Sequence, residues 1–147
     1  MRVFRQVLSL LMIVGVCLVL AAPVTAAQSA TAPCGPSAAA CISLSRQQAW
    51  LMSGGQVTYG PTPITSGRPD HPTPVGVYRV LWKDRDHRSS LFNNAPMPYS
   101  VFFTSTGIAF HEGSLRVPSH GCIHLSHNAA VTFFNTLAVG QIVQVVG

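Results

Sequence analysis

Between positions 111 and 127 this sequence holds four of its six histidines, His111, His120, His124 and His127, together with Cys122. Two kinds of chemistry use such a set: attack by a thiol with an imidazole as base, and Cys/His metal binding. For the first, the string Ser119-His120-Gly121-Cys122 puts a thiol directly after a glycine. Gly121 lets the backbone turn tightly and brings the peptide N–H groups of positions 121 and 122 toward a reacting carbonyl, as an oxyanion hole requires. A thiol with an ordinary pKa of about 8.5 becomes thiolate near neutral pH when an imidazole and backbone dipoles stand beside it. His111, eleven residues upstream, sits at the end of a strand that can return across an antiparallel connection to face the thiol. For the second, His120, Cys122 and His124 alternate and would share one face of an extended strand, with His111 or His127 completing a zinc set. That spacing is not a recognised finger or ribbon pattern. On the residues alone both remain open.

The elements that must position these groups are short. Residues 42–45, 49–52 and 56–59 alternate apolar and polar, and the turn Ser53-Gly54-Gly55 joins the last two into a hairpin. Residues 61–74 hold five prolines and Gly67, which makes them a long loop and excludes a central strand. Strand character resumes over 75–82. Residues 83–94 are the most polar stretch and read as a solvated excursion. Residues 97–104 and 107–110 are two further strands carrying Tyr99, Phe102, Phe103 and Phe110. One helix is expected, capped by Ser126, with Ala130, Phe133, Phe134 and Leu137 on one stripe and Gly140 ending it. A last strand spans 141–146. The sum is a mainly β (α+β) domain in which two sheets share a core with one helix in the C-terminal half.

The N-terminus has another character. Met1, Arg2 and Arg5 precede an apolar run over 7–22, and small residues follow through Ala26 and Ala27, the layout of a secretory signal. Residues 1–26 are read as a cleaved export signal, with an uncleaved anchor as the alternative. Residues 27–41 are an Ala/Ser/Pro-rich linker, and the domain occupies 42–147. Without Arg2 and Arg5 seven basic residues face four acidic ones, and no stripe gathers them, which excludes a nucleic-acid binder. Four cysteines less Cys17 of the export segment leave three. Cys34 and Cys41 are close enough to form a disulfide in an oxidising compartment, with a contribution of about 2 to 3 kcal/mol on the chain-entropy model. Cys122 is then the free thiol.

The string Ser119-His120-Gly121-Cys122-Ile123-His124-Leu125, preceded by Ile108-Ala109-Phe110-His111-Glu112-Gly113, resembles the signature of the L,D-transpeptidase catalytic domain, also called the YkuD domain. Pro72-Thr73-Pro74-Val75-Gly76-Val77-Tyr78 and Met97-Pro98-Tyr99 extend the likeness upstream. The resemblance implies a β-sandwich-like catalytic domain that acts on peptidoglycan stem peptides through a cysteine thioester, without metal or organic cofactor. It implies Cys122 as nucleophile, His111 as base, His120 and Gly121 as the oxyanion turn, and Ser119 as its brace. Ser119, His124 and Tyr99 are the substrate-side candidates, Tyr99 as a wall of the donor pocket. Two departures stand out: His124 replaces the usual Arg or Asn, and the interval from His111 to Cys122 is shortened. The implied activity is transfer of a tetrapeptide acyl group to an amine, giving a 3→3 cross-link. Water as acceptor would make it an L,D-carboxypeptidase, and a catalytically weak wall-binding module is the non-enzymatic alternative. The implied setting is the cell envelope outside the cytoplasm, for a monomer that meets the membrane only through its export segment.

Overall fold

The computed structural model describes residues 31–147; the export-signal reading of residues 1–26 lies outside them. Nine strands and one helix follow in chain order: β1 (Ala38–Ser43), β2 (Gln48–Ser53), β3 (Gln56–Pro63), β4 (Gly76–Arg79), β5 (Trp82–Arg88), β6 (Pro96–Phe102), β7 (Ala109–Glu112), β8 (Ile123–Leu125), α1 (His127–Thr136) and β9 (Ile142–Val146). They form a five-stranded sheet ordered β3-β2-β1-β9-β4 and a four-stranded sheet ordered β5-β6-β7-β8. The core lies where Ile42, Leu51, Val143 and Val145 of the first sheet meet Val101, Phe110, Ile123 and Leu125 of the second, with Phe133 and Leu137 from the helical segment. The expected class, mainly β with two sheets and one helix, is the class observed.

Period-2 alternation decides which side chains reach the site. On β7, Phe110 is fully buried in the main core, so Ala109 and His111 face the opposite side of the sheet. On β8, Ile123 and Leu125 enter the same core, which sends His124 to that opposite side as well. Ser126 caps α1 by accepting from the Ala129 N–H, and the apolar stripe Ala130, Phe133 and Leu137 is buried as its spacing predicts.

Several expected boundaries move. Strand β1 starts at Ala38, so residues 38–41, read as linker, are sheet, and Cys41 is bonded to Cys34 beneath a small cluster with Trp50 and Met52. Strand 75–82 is two strands, because Val80 is buried at the crossing from one sheet to the other. The polar stretch 83–94 is not an excursion as far as Arg88. It is the edge strand β5, whose polar side chains are tolerated because only one neighbour, β6, pairs with it. Pro61 and Pro63 lie in β3, an edge strand, where a missing N–H costs no ladder bond on the open side. Gly140 does not end α1: Leu137 does, its N–H bonded to Phe133 O, and Gly140 turns the chain three residues later with φ of 91°.

Candidate active site

The outer face of the four-stranded sheet floors a cleft of about 610 Å³ whose lining includes Trp82, His87, Phe102, His111, Cys122 and His124. Cys122 immediately precedes β8 and packs against Met97, Phe102 and Ala109. It is the free cysteine among the described residues and is partly buried. His111 stands on β7, and β7 pairs β8 in parallel, with His111 opposite His124. The expected antiparallel return is therefore corrected. Residues 113–122 form a crossover that brings the thiol back beside the start of the neighbouring strand, a geometry that a hairpin could not supply.

The turn carrying the thiol is held from two sides. Ser119 Oγ donates to Cys122 O at 2.6 Å and accepts from the Gly121 N–H at 3.0 Å. Gly121, at φ of 116°, is in the region that favours glycine. Its N–H is occupied by Ser119, so of the two backbone donors expected to face a carbonyl it is not a free one. From the other side the proline-rich loop acts as a cradle. Ser119 N–H donates to Ser66 O (2.9 Å), Arg68 N–H donates to Ser119 O (3.0 Å), and Thr73 Oγ1 donates to Gly121 O (2.7 Å) while accepting from Gly67 N–H (3.0 Å). Thr73, buried between two prolines, is the positioning residue that sequence reasoning missed; a short polar side chain locked in a proline pair was its signal.

His111 is buried, and its Nδ1 lies 2.7 Å from Glu112 O. A carbonyl only accepts, so Nδ1 carries the proton and Nε2 the lone pair. Burial pulls the His111 pKa down to about 4, helped by the positive fields of His124 and His87 and opposed by the Glu112 bond. Burial also pushes the Cys122 thiol up, against a smaller opposing effect of the Ala109 backbone bond. The expected resting thiolate is thereby corrected: the two groups rest as a neutral thiol and a neutral imidazole. Desolvation disfavours both charged forms, so the ion pair must form during attack and not before it.

The buried imidazole carries a stability consequence. A folded pKa of about 4 against the ordinary 6.5 stabilises the fold fully above pH 6.5, and this contribution is lost as pH falls through that window. By pH 4 about 3 kcal/mol should be gone, and His111→Gln should flatten the acid limb of urea-unfolding stability by a similar amount. A variant with the acid dependence of the parent would show that His111 protonates without cost.

The remaining site candidates separate. His124 is in the cleft, its ring edge-on to His111 at 4.9 Å and its Nδ1 3.0 Å from Ser114 O. His120 is at the exposed rim between the rings of His71 (5.0 Å) and Phe92 (4.6 Å). Tyr99 does not wall the cleft. Its φ of 58° shifts the alternation of β6, so Met97 and Phe102 share the cleft face while Tyr99 packs on Phe134 and His127 over the main core. His127 bonds Glu112 Oε2 at 2.8 Å. Among the described residues no three His, Cys, Asp or Glu side chains are grouped to hold a metal ion, because His120 lies in the turn before β8 and not in line with His124.

Residues 37–145 match the profile of the L,D-transpeptidase catalytic domain, YkuD. The chain belongs to this family. Probable L,D-transpeptidase 3 of Mycobacterium tuberculosis (strain ATCC 25618 / H37Rv) is 36% identical over 100 residues, 56% of this chain and 37% of that protein. A crystal structure of an L,D-transpeptidase from M. tuberculosis H37Rv superposes with a TM-score of 0.70 at 31% identity, covering 77% of this chain and 59% of the other. L,D-transpeptidase 3 from M. tuberculosis, in complex with a faropenem-derived adduct, superposes with a TM-score of 0.68 at 28% identity, covering 77% and 61%. This L,D-transpeptidase-family chain spans about two fifths of the length of the curated relatives it matches. The two-sheet architecture with one helix is the architecture of those solved domains.

Proposed function

We propose that this chain is an exported L,D-transpeptidase acting on peptidoglycan stem peptides, with residues 1–26 as its export signal and the catalytic domain beginning at β1. The observation that carries the reading is a free, half-buried thiol and a buried, tautomerically defined imidazole lining one cleft, with the thiol's turn braced by Ser119.

In this reading Cys122 attacks the carbonyl before the terminal D-alanine of a tetrapeptide donor. His111 Nε2 takes the thiol proton as the S–C bond forms, then returns it to the departing amine as the C–N bond breaks. Because thiol and imidazole rest neutral, the charge separation appears only in the transition state, where Cys122's own N–H and the His120 side of the turn meet the developing oxyanion. The acyl group waits as a thioester until an amine of another stem resolves it as a 3→3 cross-link; water in that place would give carboxypeptidase products.

The test is the intact mass of the protein after incubation with a carbapenem. A β-lactam carbonyl opens onto an acyl-accepting thiol, so a single adduct of one drug mass is expected, and prior alkylation of Cys122 should prevent it. A folded protein with Cys122 free and no adduct would move the assignment to a wall-binding module.

A further inference from the structure

Among the histidines that line the cleft besides His111, one is backed by a carboxylate and has no part in the acylation chemistry. His87 on β5 lines the cleft together with Cys122 and His111, and its Nδ1 lies 3.0 Å from Asp84 Oδ2. A carboxylate only accepts, so Nδ1 donates and Nε2 holds the lone pair. The ring is fixed edge-on by Trp82 (5.4 Å) and by Phe102 (4.9 Å), and those two rings stack on each other at 3.8 Å. Phe102 belongs to the apolar patch on which Cys122 rests, so one ring borders both His87 and the thiol. The side chain remains 23% exposed, enough for a ligand to reach Nε2.

His111 and His87 both line the cleft and are built differently. His111 is backed by a neutral carbonyl and has a pKa of about 4, which suits a group that borrows a proton and returns it within one step. His87 is backed by a carboxylate, which fixes the ring and its tautomer and sets a negative charge beside any proton that Nε2 accepts in passing. The titratable groups acting on it are Asp84 from its own strand and, across the cleft floor, His111 from β7; from β6 it meets the apolar ring of Phe102.

Acylation leaves His111 as it began, whereas an attacking amine must shed a proton as it becomes an amide. We propose that His87, oriented by Asp84, is the acceptor-side base, facing the thioester from the β5 wall of the cleft. The acceptor nitrogen attacks the thioester carbonyl, the C–N bond forms, and the C–S bond breaks with its electron pair returning to Cys122 sulfur. The amine proton goes to His87 Nε2, and sulfur regains a proton from the resulting imidazolium. This assignment rests on the acyl-transfer reading and names the residue that would serve its second half. Asp84 is a positioning residue here.

The experiment measures the two halves separately on the full chain, with His87→Gln, Asp84→Asn and the parent. Acylation is read as the carbapenem adduct rate by intact mass. Transfer is read as amide product from a tetrapeptide donor over a concentration series of a diamino-acid amide, across pH 5.5 to 9, pH values spanning the ordinary histidine range of about 6.5. His87→Gln should lower the ratio of transfer to acylation by tenfold or more across the pH range. Asp84→Asn, which keeps the side-chain volume, should lower the same ratio less. An unchanged ratio in a folded His87→Gln overturns the proposal, as does an equal fall in both steps, which would mark a structural role. Should His87→Gln fail to fold, the ratio in Asp84→Asn decides on the same terms. A parent that forms no adduct defeats the acyl-transfer reading itself, and the assignment of His87 falls with it.

Discussion

Cys122→Ser is expected to fold as the parent does, to form no carbapenem adduct and to lose acyl transfer by at least about 10³-fold. The fold should survive because the substitution exchanges sulfur for a smaller oxygen at a partly buried position against Met97, Phe102 and Ala109, where the Gly107 carbonyl that the thiol faces at 3.9 Å can equally accept from a hydroxyl. Activity should not survive, for a reason specific to this site. His111, with a pKa of about 4, is a weak base. It can accept a thiol proton while the S–C bond forms, but a serine hydroxyl is far less acidic, and the mismatch adds directly to the barrier. Turnover in the variant within tenfold of the parent would remove Cys122 as nucleophile. An adduct retained on the variant would place the acylated group elsewhere.

Gly67→Ala should be strongly damaging although the residue is not one of the proposed reacting groups. A Cβ at this position would overlap His71 O and come within 2.7 Å of Thr73 N and 2.9 Å of Pro72 C, all backbone atoms that no rotamer can move. The proline loop must then shift, and with it go the Gly67 N–H bond to Thr73 Oγ1 and the pairing of Ser66 and Arg68 with Ser119. A loss of about 2–4 kcal/mol follows from overpacking plus broken buried hydrogen bonds, a melting temperature lower by roughly 10–20 °C. Carbapenem acylation should fall as well, because the same loop holds Gly121 through Thr73. Gly35→Ala is the control, its Cβ meeting Gln144 Oε1 at an ordinary 3.6 Å. Equal melting temperatures for Gly67→Ala and this control would show that the loop yields freely and that the cradle does not set the turn.

The chemistry of this protein was legible because most of it is contiguous. Ser119 to Cys122 is one turn, and its brace is formed by side chain and backbone three residues apart, so the local string already determines which groups can meet. The alternation of β7 and β8, the Ser126 cap and the helix stripe are likewise set by near neighbours and by a period that the residue types display. The unpaired thiol followed from counting, since Cys34 and Cys41 take each other.

Other features depend on chain return, which no local pattern encodes. Met97 and Tyr99, two positions apart on β6, look equivalent, and the left-handed backbone at Tyr99 sends them to opposite faces. Thr73 reaches Gly121 across 48 positions, and His87 joins the cleft only because β5 pairs with β6. The protonation states belong to the same class. In water a thiol and an imidazole side by side favour each other's charged forms, whereas here burial penalises both charges and leaves the pair neutral. The sequence by itself singled out the candidate nucleophile and its candidate base. Only the tertiary structure decided which further histidines line the same cleft and how burial disfavours the charged forms of both groups, because desolvation is a property of everything packed around a group.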